Sequence, residues 1–381
     1  MNVEVYYHSD VQFLHQASVD HRELKKYALT NFCIFKMTEI PQSFQAFYMP
    51  AEWHPHQHCW MAWPCRPQSW PFELNRVRDS FATVANAIAR FEPVKMIVLP
   101  AHIEEAARLC GAGIEFISLP MDDSWVRDTG PSFIIDGRGG IAGIDWQFNA
   151  WGESRENIID YQEDAVLAQR ILEYTQIRRY AAPFILEGGA IHVDGEGTVL
   201  TSAECLLNRN PQFNREEMEA QLRDYLGISK VIWLGQGLED DETAGHIDNL
   251  ASFVRPGVVV ALTCNDPQDS NYAALQVNLH RLRCATDAQG RQLEIIEIEQ
   301  PARRDDNNGL RLTLSYINFY IANGGIIMPI FDDPADEAAI ATLSQAFPEH
   351  QVVPVYALDL FYGGGGIHCI TQQQPVPQPY K

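Results

Sequence analysis

Cys369, in the stretch GGGGIHCITQQQP that spans residues 363–375, is a candidate nucleophile. A thiolate is a soft nucleophile, but a free cysteine with its ordinary pKa of about 8.5 is mostly protonated at neutral pH. Taken alone, a cysteine is more often a small buried apolar residue than a nucleophile. A catalytic role for Cys369 therefore depends on the partners that the fold brings to it.

Three acidic residues occupy similar positions ahead of three predicted turns. His246 is two residues before Asp248, the last of these acids. On an extended segment the side chains of His246 and Asp248 therefore point to the same side. Equivalent positions in a repeated structure closed around an axis face that axis, and the three carboxylates are therefore expected to meet. Asp128, Glu187 and Asp248 stand 8, 7 and 8 residues before turns that begin at residues 136, 194 and 256.

Carboxylates brought together repel one another, so this cluster predicts a cation between them. A metal ion is one possibility, because Cys, His, Asp and Glu are all zinc ligands, but the close ligand pairs of common metal sites are missing from the sequence. A guanidinium group is favoured, since its planar N–H groups pair with carboxylates through parallel hydrogen bonds. The Cys369 thiolate could then attack the guanidinium carbon. His246 would protonate the departing ammonia and later activate water.

The elements that must position these residues recur along the chain. Apolar strands flank Gly or Pro turns near residues 136, 194, 256 and 323, at steps of 58, 62 and 67 residues, and CWMAWP at 59–64 could open the series. Stretches with helical periodicity lie between the turns, at 75–91, 162–175 and 214–226. The repeat predicts about five similar α/β units closed around an axis.

The composition is that of a globular protein, with 381 residues, 46% hydrophobic and 20% charged. The formal net charge of −22 disfavours nucleic acid or an anionic membrane as a partner and is compatible with a small cationic substrate. No apolar run predicts a membrane-spanning helix, and the scattered cysteines favour a reducing, cytosolic compartment. Residues 1–36 are interpreted as an N-terminal extension of uncertain order, and residues 37–381 as a single catalytic domain.

Five motifs closely resemble those of the agmatine deiminases, a family of the guanidine-modifying pentein superfamily. The resemblance implies a five-bladed, pseudo-symmetric α/β propeller of ββαβ units, with the active site on the central axis. It also implies that agmatine and water give N-carbamoylputrescine and ammonia through a covalent thiouronium on cysteine. The motifs are DDSWVRDTGPSF, EGGAIHVDGEGTVLTSAECLLNRNP, DDETAGHIDNLASFVRPG, FYIANGGIIMPIFDDPADEAA and GGGGIHCITQQQP.

The resemblance assigns expected roles to the residues discussed above. Cys369 matches the family's nucleophile, and His246 matches its general acid and base. Glu187 resembles the carboxylate that supports the histidine. Asp128 and Asp248 match the pair that grips the guanidinium.

Two further residues match substrate-binding positions of the family. Glu242, four residues before His246, matches an acidic position that faces the far amine of the substrate. Trp125 matches an aromatic residue that lines the substrate channel. The family implies no cofactor and no metal. It also implies a cytoplasmic homo-oligomer, most often a dimer, that acts in polyamine metabolism.

Other polar residues receive different interpretations. His56 matches a histidine of the family motif PAEWxPH, whereas His54 and His58 are interpreted as surface or packing residues. Six further cysteines are expected to be structural: Cys59, Cys65, Cys110, Cys205, Cys264 and Cys284. His368 is expected to point away from Cys369 if that segment is extended, because neighbouring side chains of a strand alternate.

Three rival functions remain open from the sequence. A Cys-His-Asp amide hydrolase would need an oxyanion hole, and three clustered acids would repel the developing oxyanion. Arginine or peptidyl-arginine deimination would use the same chemistry, but the free carboxylate of arginine would meet Glu242, which has the wrong charge. A propeller that only binds a polyamine would not require a cysteine at position 369.

Overall fold

Five small sheets, each of three or four strands, make up the computed structural model, which describes residues 46–152 and 160–377. Each sheet is one blade of an α/β propeller, and the predicted fold class is confirmed. The N-terminal extension expected over residues 1–36 lies outside the described residues. That residues 37–381 form a single domain stays a prediction.

Four blades are continuous in sequence and share one strand order. Each has an antiparallel hairpin, and the second hairpin strand pairs in parallel with a third strand that follows a helical connection. All four predicted hairpin turns lie between such strands. The blades are β4 (Ser132–Ile135), β5 (Ile141–Gln147) and β6 (Arg178–Ile185); β7 (Ile191–Val193), β8 (Thr198–Ser202) and β9 (Lys230–Leu234); β10 (Ala251–Arg255), β11 (Val258–Thr263) and β12 (Glu294–Glu299); and β13 (Tyr320–Ala322), β14 (Gly325–Ile330) and β15 (Gln351–Tyr356).

The remaining blade is assembled from both ends of the described chain. Its strands are β1 (His56–Ala62), β2 (Val94–Ile97), β3 (Ile114–Ile117) and β16 (Gln372–Pro375). Strand β1 contains most of the predicted CWMAWP strand, but its antiparallel partner is β16, with Trp60 opposite Gln372. Strands β2 and β3 continue the sheet in parallel. The propeller is thus closed by a strand that the hairpin pattern did not predict.

Helices connect the strands of the blades, and those predicted from periodicity are present. Within the predicted helix at 162–175, residues 164–166 form a 3-10 turn, and the α-helix begins directly after it. None of the helices in the described residues is long and apolar enough to cross a bilayer. The α-helices are α1 (Leu74–Ile88), α2 (Ile103–Leu109), α3 (Val126–Thr129), α4 (Leu167–Thr175), α5 (Ala203–Arg209), α6 (Arg215–Leu226), α7 (Tyr272–Cys284), α8 (Asp336–Ala346) and α9 (Leu358–Phe361).

Helix α6 shows how the sequence sets these boundaries. Asn214 and Glu217 form a reciprocal capping box that satisfies backbone N–H groups of the first turn. Gly227 ends the helix in the left-handed conformation, with φ at 66°. Strand β11 shows how the core forms: all of VVVALT is buried, as expected for a strand paired on both sides and covered by a helix, here α7.

A short segment precedes the first strand of each hairpin, and we call these five the leading segments. They comprise α3, the 3-10 turns Gly188–Ala190 and Ile247–Asn249, and the residues just before β13 and β16. Helix α3 contacts Gly188–Ala190, which in turn contacts Ile247–Asn249. The leading segments therefore meet around the propeller axis, where the predicted site residues lie.

Candidate active site

Each leading segment contributes a polar side chain to one buried cluster. Three of these residues are the predicted acids, one is the predicted nucleophile, and one is an asparagine before β13. His246, beside the third segment, is fully buried with them. The five are Asp128, Glu187, Asp248, Asn318 and Cys369.

Cys369 has acidic and amide neighbours. Its Sγ lies 3.5 Å from Oδ2 of Asp248, and Nδ2 of Asn318 donates a hydrogen bond to it at 3.2 Å. Burial, together with the charges of Asp248 and Asp128, raises the pKa of the Cys369 thiol well above its ordinary value. Without a bound cation, Cys369 is therefore a neutral thiol. A cation bound between the sulfur and the acids would favour the thiolate.

The two candidate clamping acids differ in their hydrogen bonds. Asp128 accepts hydrogen bonds from Nε1 of Trp151 at 2.8 Å and from the N–H of Gly189 at 2.9 Å. Burial raises the pKa of Asp128, against the opposing effect of His246. For Asp248, burial is outweighed by the hydrogen bond and charge of His368, and its pKa lies below the ordinary value. Within the described part of the chain, Oδ1 of Asp248 is buried without a hydrogen-bond partner.

His246 is oriented by Glu187. Its Nε2 lies 3.2 Å from Oε2 of Glu187, whose Oε1 accepts a hydrogen bond from Nε of Arg209 at 2.9 Å. The other nitrogen, Nδ1, is 3.9 Å from Oδ2 of Asp128 and has no hydrogen-bond partner among the described residues. Burial acts to lower the pKa of His246, but chiefly the Asp128 charge raises it well above its ordinary value. The resting imidazole is protonated, as a general acid requires.

Gly189 lies beneath the point where these groups converge. A Cβ at this position would lie 2.6 Å from Nδ1 of His246, 2.9 Å from Oδ2 of Asp248 and 3.1 Å from Oδ1 of Asp128. A base and two acids thus face one small space that only glycine leaves open. The missing side chain of Gly189 lets His246, Asp128 and Asp248 approach the backbone and one another closely.

Replacing Gly189 with Ala is expected to reduce kcat/KM by about 100-fold or more, because a displacement of about 1 Å in a catalytic group has effects of this size. The added Cβ would force His246 or Asp248 to move. Steady-state kinetics measure the loss, and thermal unfolding checks that the variant folds. Gly111→Ala, at an exposed turn, is the matched control and should keep full activity. Unchanged activity in Gly189→Ala would contradict this location of the site.

Trp125 forms a wall beside the nucleophile. A Cβ on Gly365 would lie 2.6 Å from Cζ3 of Trp125 and 3.2 Å from Sγ of Cys369, so the two side chains face each other across the glycine. Trp125 is buried and stacks on Trp70, with ring centroids 5.4 Å apart. Two stacked indoles offer an apolar surface to a chain of methylene groups.

Glu242 lies outside the buried cluster, on the exposed surface. It lines a shallow pocket together with Asp240, Tyr362 and Gly364. Gly364 directly precedes Gly365, which borders Trp125 and Cys369. The pocket is therefore next to the buried cluster, and Arg311 lines it as well.

One group of possible metal ligands occurs within the described residues. Ligand atoms of Glu187, Cys205 and His246 lie within 4.8 Å of one another. The guanidinium of Arg209 is hydrogen-bonded to the same Glu187 and would repel a metal cation there. Burial raises the pKa of Cys205 to about 11, which disfavours the thiolate that a metal needs. These side chains fit a hydrogen-bonded support for His246 better than a metal site.

Comparison with known proteins identifies the family. The profile of the Porphyromonas-type peptidyl-arginine deiminases matches residues 48–375 of the chain. The chain belongs to this family.

Relatives within this deiminase family are similar over most of the chain. The agmatine deiminases of Ectopseudomonas mendocina and Pseudomonas aeruginosa are both 46% identical, covering 90% of this chain and 99% and 98% of their own sequences. The structure of the Enterococcus faecalis agmatine deiminase superposes with a TM-score of 0.83 at 38% identity, covering 87% of this chain and 96% of that chain. The resemblance to agmatine deiminases found in the sequence is confirmed.

Several residues of this deiminase site were not found from the sequence. Asn318 stands five residues before the turn at residue 323, closer than the acids stand to their turns, and its side chain carries no charge, so the repeat pattern did not reveal it. Trp151, Arg209 and Glu52 had no such signal, because they reach the cluster from loops and a helix outside the leading segments.

The expectation that His368 points away from the site is wrong. Its segment is a turn rather than a strand, so side chains do not alternate. The His368 imidazole lies 2.9 Å from Oδ2 of Asp248 through Nδ1, and 3.0 Å from Oε1 of Glu52 through Nε2. It therefore shares Asp248 with the Cys369 thiol.

The three histidines of the HPHQH stretch, at residues 54–58, are packed inside the protein. His54 and His58 are both buried, in agreement with the packing interpretation, and Nε2 of His54 lies 2.9 Å from the carbonyl of Val376. His56 lies between Glu92 and Tyr320, at 3.1 and 3.2 Å from their oxygens. These contacts attach β1 to neighbouring elements.

Proposed function

We propose that this protein hydrolyses agmatine to N-carbamoylputrescine and ammonia through a covalent intermediate on Cys369. The observation that carries the proposal is the convergence of Cys369, His246, Asp128 and Asp248 around the space above Gly189. The choice of substrate is supported by relatives that are 46% identical to this chain and are agmatine deiminases. The carboxylates and the protonated His246 supply groups that a guanidinium reaction needs.

In the proposed first half-reaction, Asp128 and Asp248 bind the guanidinium edges through N–H···O bonds. The bound cation offsets the negative charges of the two acids, so the Cys369 thiol releases its proton to solvent and the thiolate forms a bond to the guanidinium carbon. His246 donates a proton to one amino group, the C–N bond breaks, and ammonia leaves. The product is a thiouronium on Cys369.

In the second half-reaction, neutral His246 accepts a proton from water as the oxygen bonds to the thiouronium carbon. The C–S bond then breaks, and the protonated urea gives its proton to the Cys369 sulfur. The urea product leaves, and the thiol is restored. This proton replaces the one that the thiol released at the start. Glu187 keeps His246 in one orientation through both steps, since Arg209 fixes the carboxylate in turn.

Agmatine, arginine and a peptidyl-arginine substrate separate this proposal from its nearest alternative. Peptidyl-arginine deimination is the second candidate, because the matching family profile carries that description. Ureido product and ammonia from agmatine, with far less from the other two, would support agmatine. Turnover of the peptide in preference to agmatine would overturn the proposed substrate but not the chemistry.

Replacing Glu242 with Gln is expected to raise KM for agmatine about five- to tenfold with little change in kcat, because an exposed acid contributes modest attraction to a cation. The ratio of kcat/KM for agmatine over arginine should fall, and salt should reduce the difference between wild type and variant. Glu216→Gln, on the exposed face of α6, is the charge-matched control. A variant that keeps its full preference for agmatine would remove Glu242 from the substrate site.

We further propose that the enzyme is a cytoplasmic homodimer that acts in polyamine metabolism. The motif resemblance supports the dimer and the pathway, and the eight scattered cysteines support the compartment. Light scattering coupled to size-exclusion chromatography measures the oligomeric state, and a monomeric mass at working concentration would count against the dimer.

A further inference from the structure

His368 is buried between two carboxylates that belong to different parts of the fold. Its Nδ1 is 2.9 Å from Oδ2 of Asp248, and its Nε2 is 3.0 Å from Oε1 of Glu52. An ionised carboxylate can only accept a hydrogen bond. Both ring nitrogens must therefore carry protons if both bonds are made, which means a charged imidazolium.

The surroundings of Glu52 favour that charge. Arg127 pairs with Oε1 of Glu52 at 3.3 Å, and Nε2 of His192 lies 3.6 Å from Oε2. His192 accepts the N–H of Phe253 at Nδ1 and faces Glu52 through Nε2. Although burial opposes it, the charges of His368 and Arg127 and the hydrogen bond of His192 hold the pKa of Glu52 well below its ordinary value. Glu52 is thus an ionised anchor.

We propose that His368 is a positioning residue, an imidazolium tied to Glu52 that fixes the Asp248 carboxylate for guanidinium binding. The bond to His368 occupies Oδ2 of Asp248 and leaves Oδ1 without a partner among the described residues. That free oxygen is the one available to a substrate N–H group. The inference rests on the proposed function, because it assigns Asp248 to the guanidinium.

The charges that face His368 determine how pH acts on this arrangement. Burial and Arg127, whose Nε donates to the His368 carbonyl, act against the imidazolium, whereas Glu52 and Asp248 favour it. His192 is the other titratable ring near Glu52, and the Cys369 thiol shares Asp248. The net effect raises the pKa of His368, so its charge persists to higher pH than that of a free histidine and is lost as pH rises through the raised value.

Glu52→Gln separates positioning from a merely structural role. The amide oxygen can still accept a bond from Nε2, but without the negative charge the pKa of His368 falls. We expect the alkaline limb of the kcat/KM profile for agmatine to move down by about one pH unit or more, with near-normal activity at lower pH. Glu92→Gln is the matched control, since Glu92 is also a buried carboxylate beside a histidine and should leave the limb in place.

Histidine NMR supplies a readout that does not depend on turnover. With nitrogen-15 labelled histidine, the His368 ring should keep both protons to higher pH than a free histidine in the wild type, and lose one at lower pH in Glu52→Gln than in the wild type. His368→Gln assigns the signal, should lower kcat/KM by about 100-fold, and should remove the part of the alkaline limb that titration of His368 sets.

Several outcomes would overturn the inference. They are a His368 ring that loses its proton at no higher pH than a free histidine, an alkaline limb that is the same in Glu52→Gln and wild type, or a Glu52→Gln loss of equal size at every pH. If the wild type did not hydrolyse agmatine at all, the proposed function would fail. The NMR titration would then still decide whether His368 is an imidazolium.

Discussion

Replacing Cys369 with Ala is expected to lower kcat for agmatine by about 10⁴-fold or more, to background. No other group in the buried cluster can form the covalent intermediate, because the remaining side chains are acids, an amide and a protonated imidazole. Agmatine should still bind, since Asp128 and Asp248 are untouched and the thiol contributes no charge to the resting site. Product formation measures turnover, and isothermal calorimetry measures binding.

Cys205→Ala is the control for this experiment. Cys205 is also buried, but its Sγ lies 3.5 Å from Oε2 of Glu187, the acid that supports His246, rather than beside Asp248. We expect its loss to change kcat/KM by less than about tenfold, the size typical of a lost weak hydrogen bond in a support network. Acid-quenched mass spectrometry should find substrate-derived mass on Cys369 in the wild type. Undiminished turnover by Cys369→Ala would end the covalent mechanism.

Asp248→Asn is expected to produce two opposite effects. Turnover of agmatine should fall by about 10²–10³-fold, because a buried, charged hydrogen-bond partner of the guanidinium is lost. The thiol of Cys369 should instead become more reactive towards iodoacetamide, a neutral reagent. The Asp248 charge raises the pKa of that thiol, so its removal lowers the pKa and increases the thiolate fraction at a given pH.

Measuring both rates on the same preparation makes the Asp248 prediction sharp. A variant that unfolds would also lose turnover and react faster, but at every buried cysteine and with the ordinary pKa of a free thiol, so circular dichroism and mass mapping of the alkylated residue distinguish the two cases. Asp145, in strand β5 of a different blade, is a buried acid paired with Arg179 and serves as the control. The Asp145→Asn variant should leave both rates unchanged. Slower alkylation in Asp248→Asn at pH 8 would mean that Asp248 does not raise the pKa of the thiol.

The blades were predictable because each hairpin has a local signal. Apolar strands around Asp136, Asp194, Pro256 and Asn323 identify their own partners a few residues away. The pairing of β1 with β16 has no such signal, since it depends on closure of the whole ring. Hydrophobic pattern alone cannot tell which distant strand completes a sheet.

The residues proposed to be catalytic could be predicted for a related reason. Asp128, Glu187 and Asp248 are charged residues at equivalent places in a repeat, so symmetry brings them together. His368 was misjudged because its orientation depends on a turn that follows four glycines, where strand alternation does not apply. Glu52 was missed because its role comes only from long-range contacts with His368 and Arg127.

The pairing of β1 with β16 makes catalysis a reporter of global folding. Cys369 stands just before β16, so any opening that detaches this strand from Trp60 also removes the sulfur from its acids. A fragment that lacks β1 or β16 is therefore expected to lose the buried cluster around Cys369. Heat or denaturant should therefore abolish turnover and the cooperative spectroscopic signal at one midpoint, as expected where sequence-distant contacts complete a structural unit.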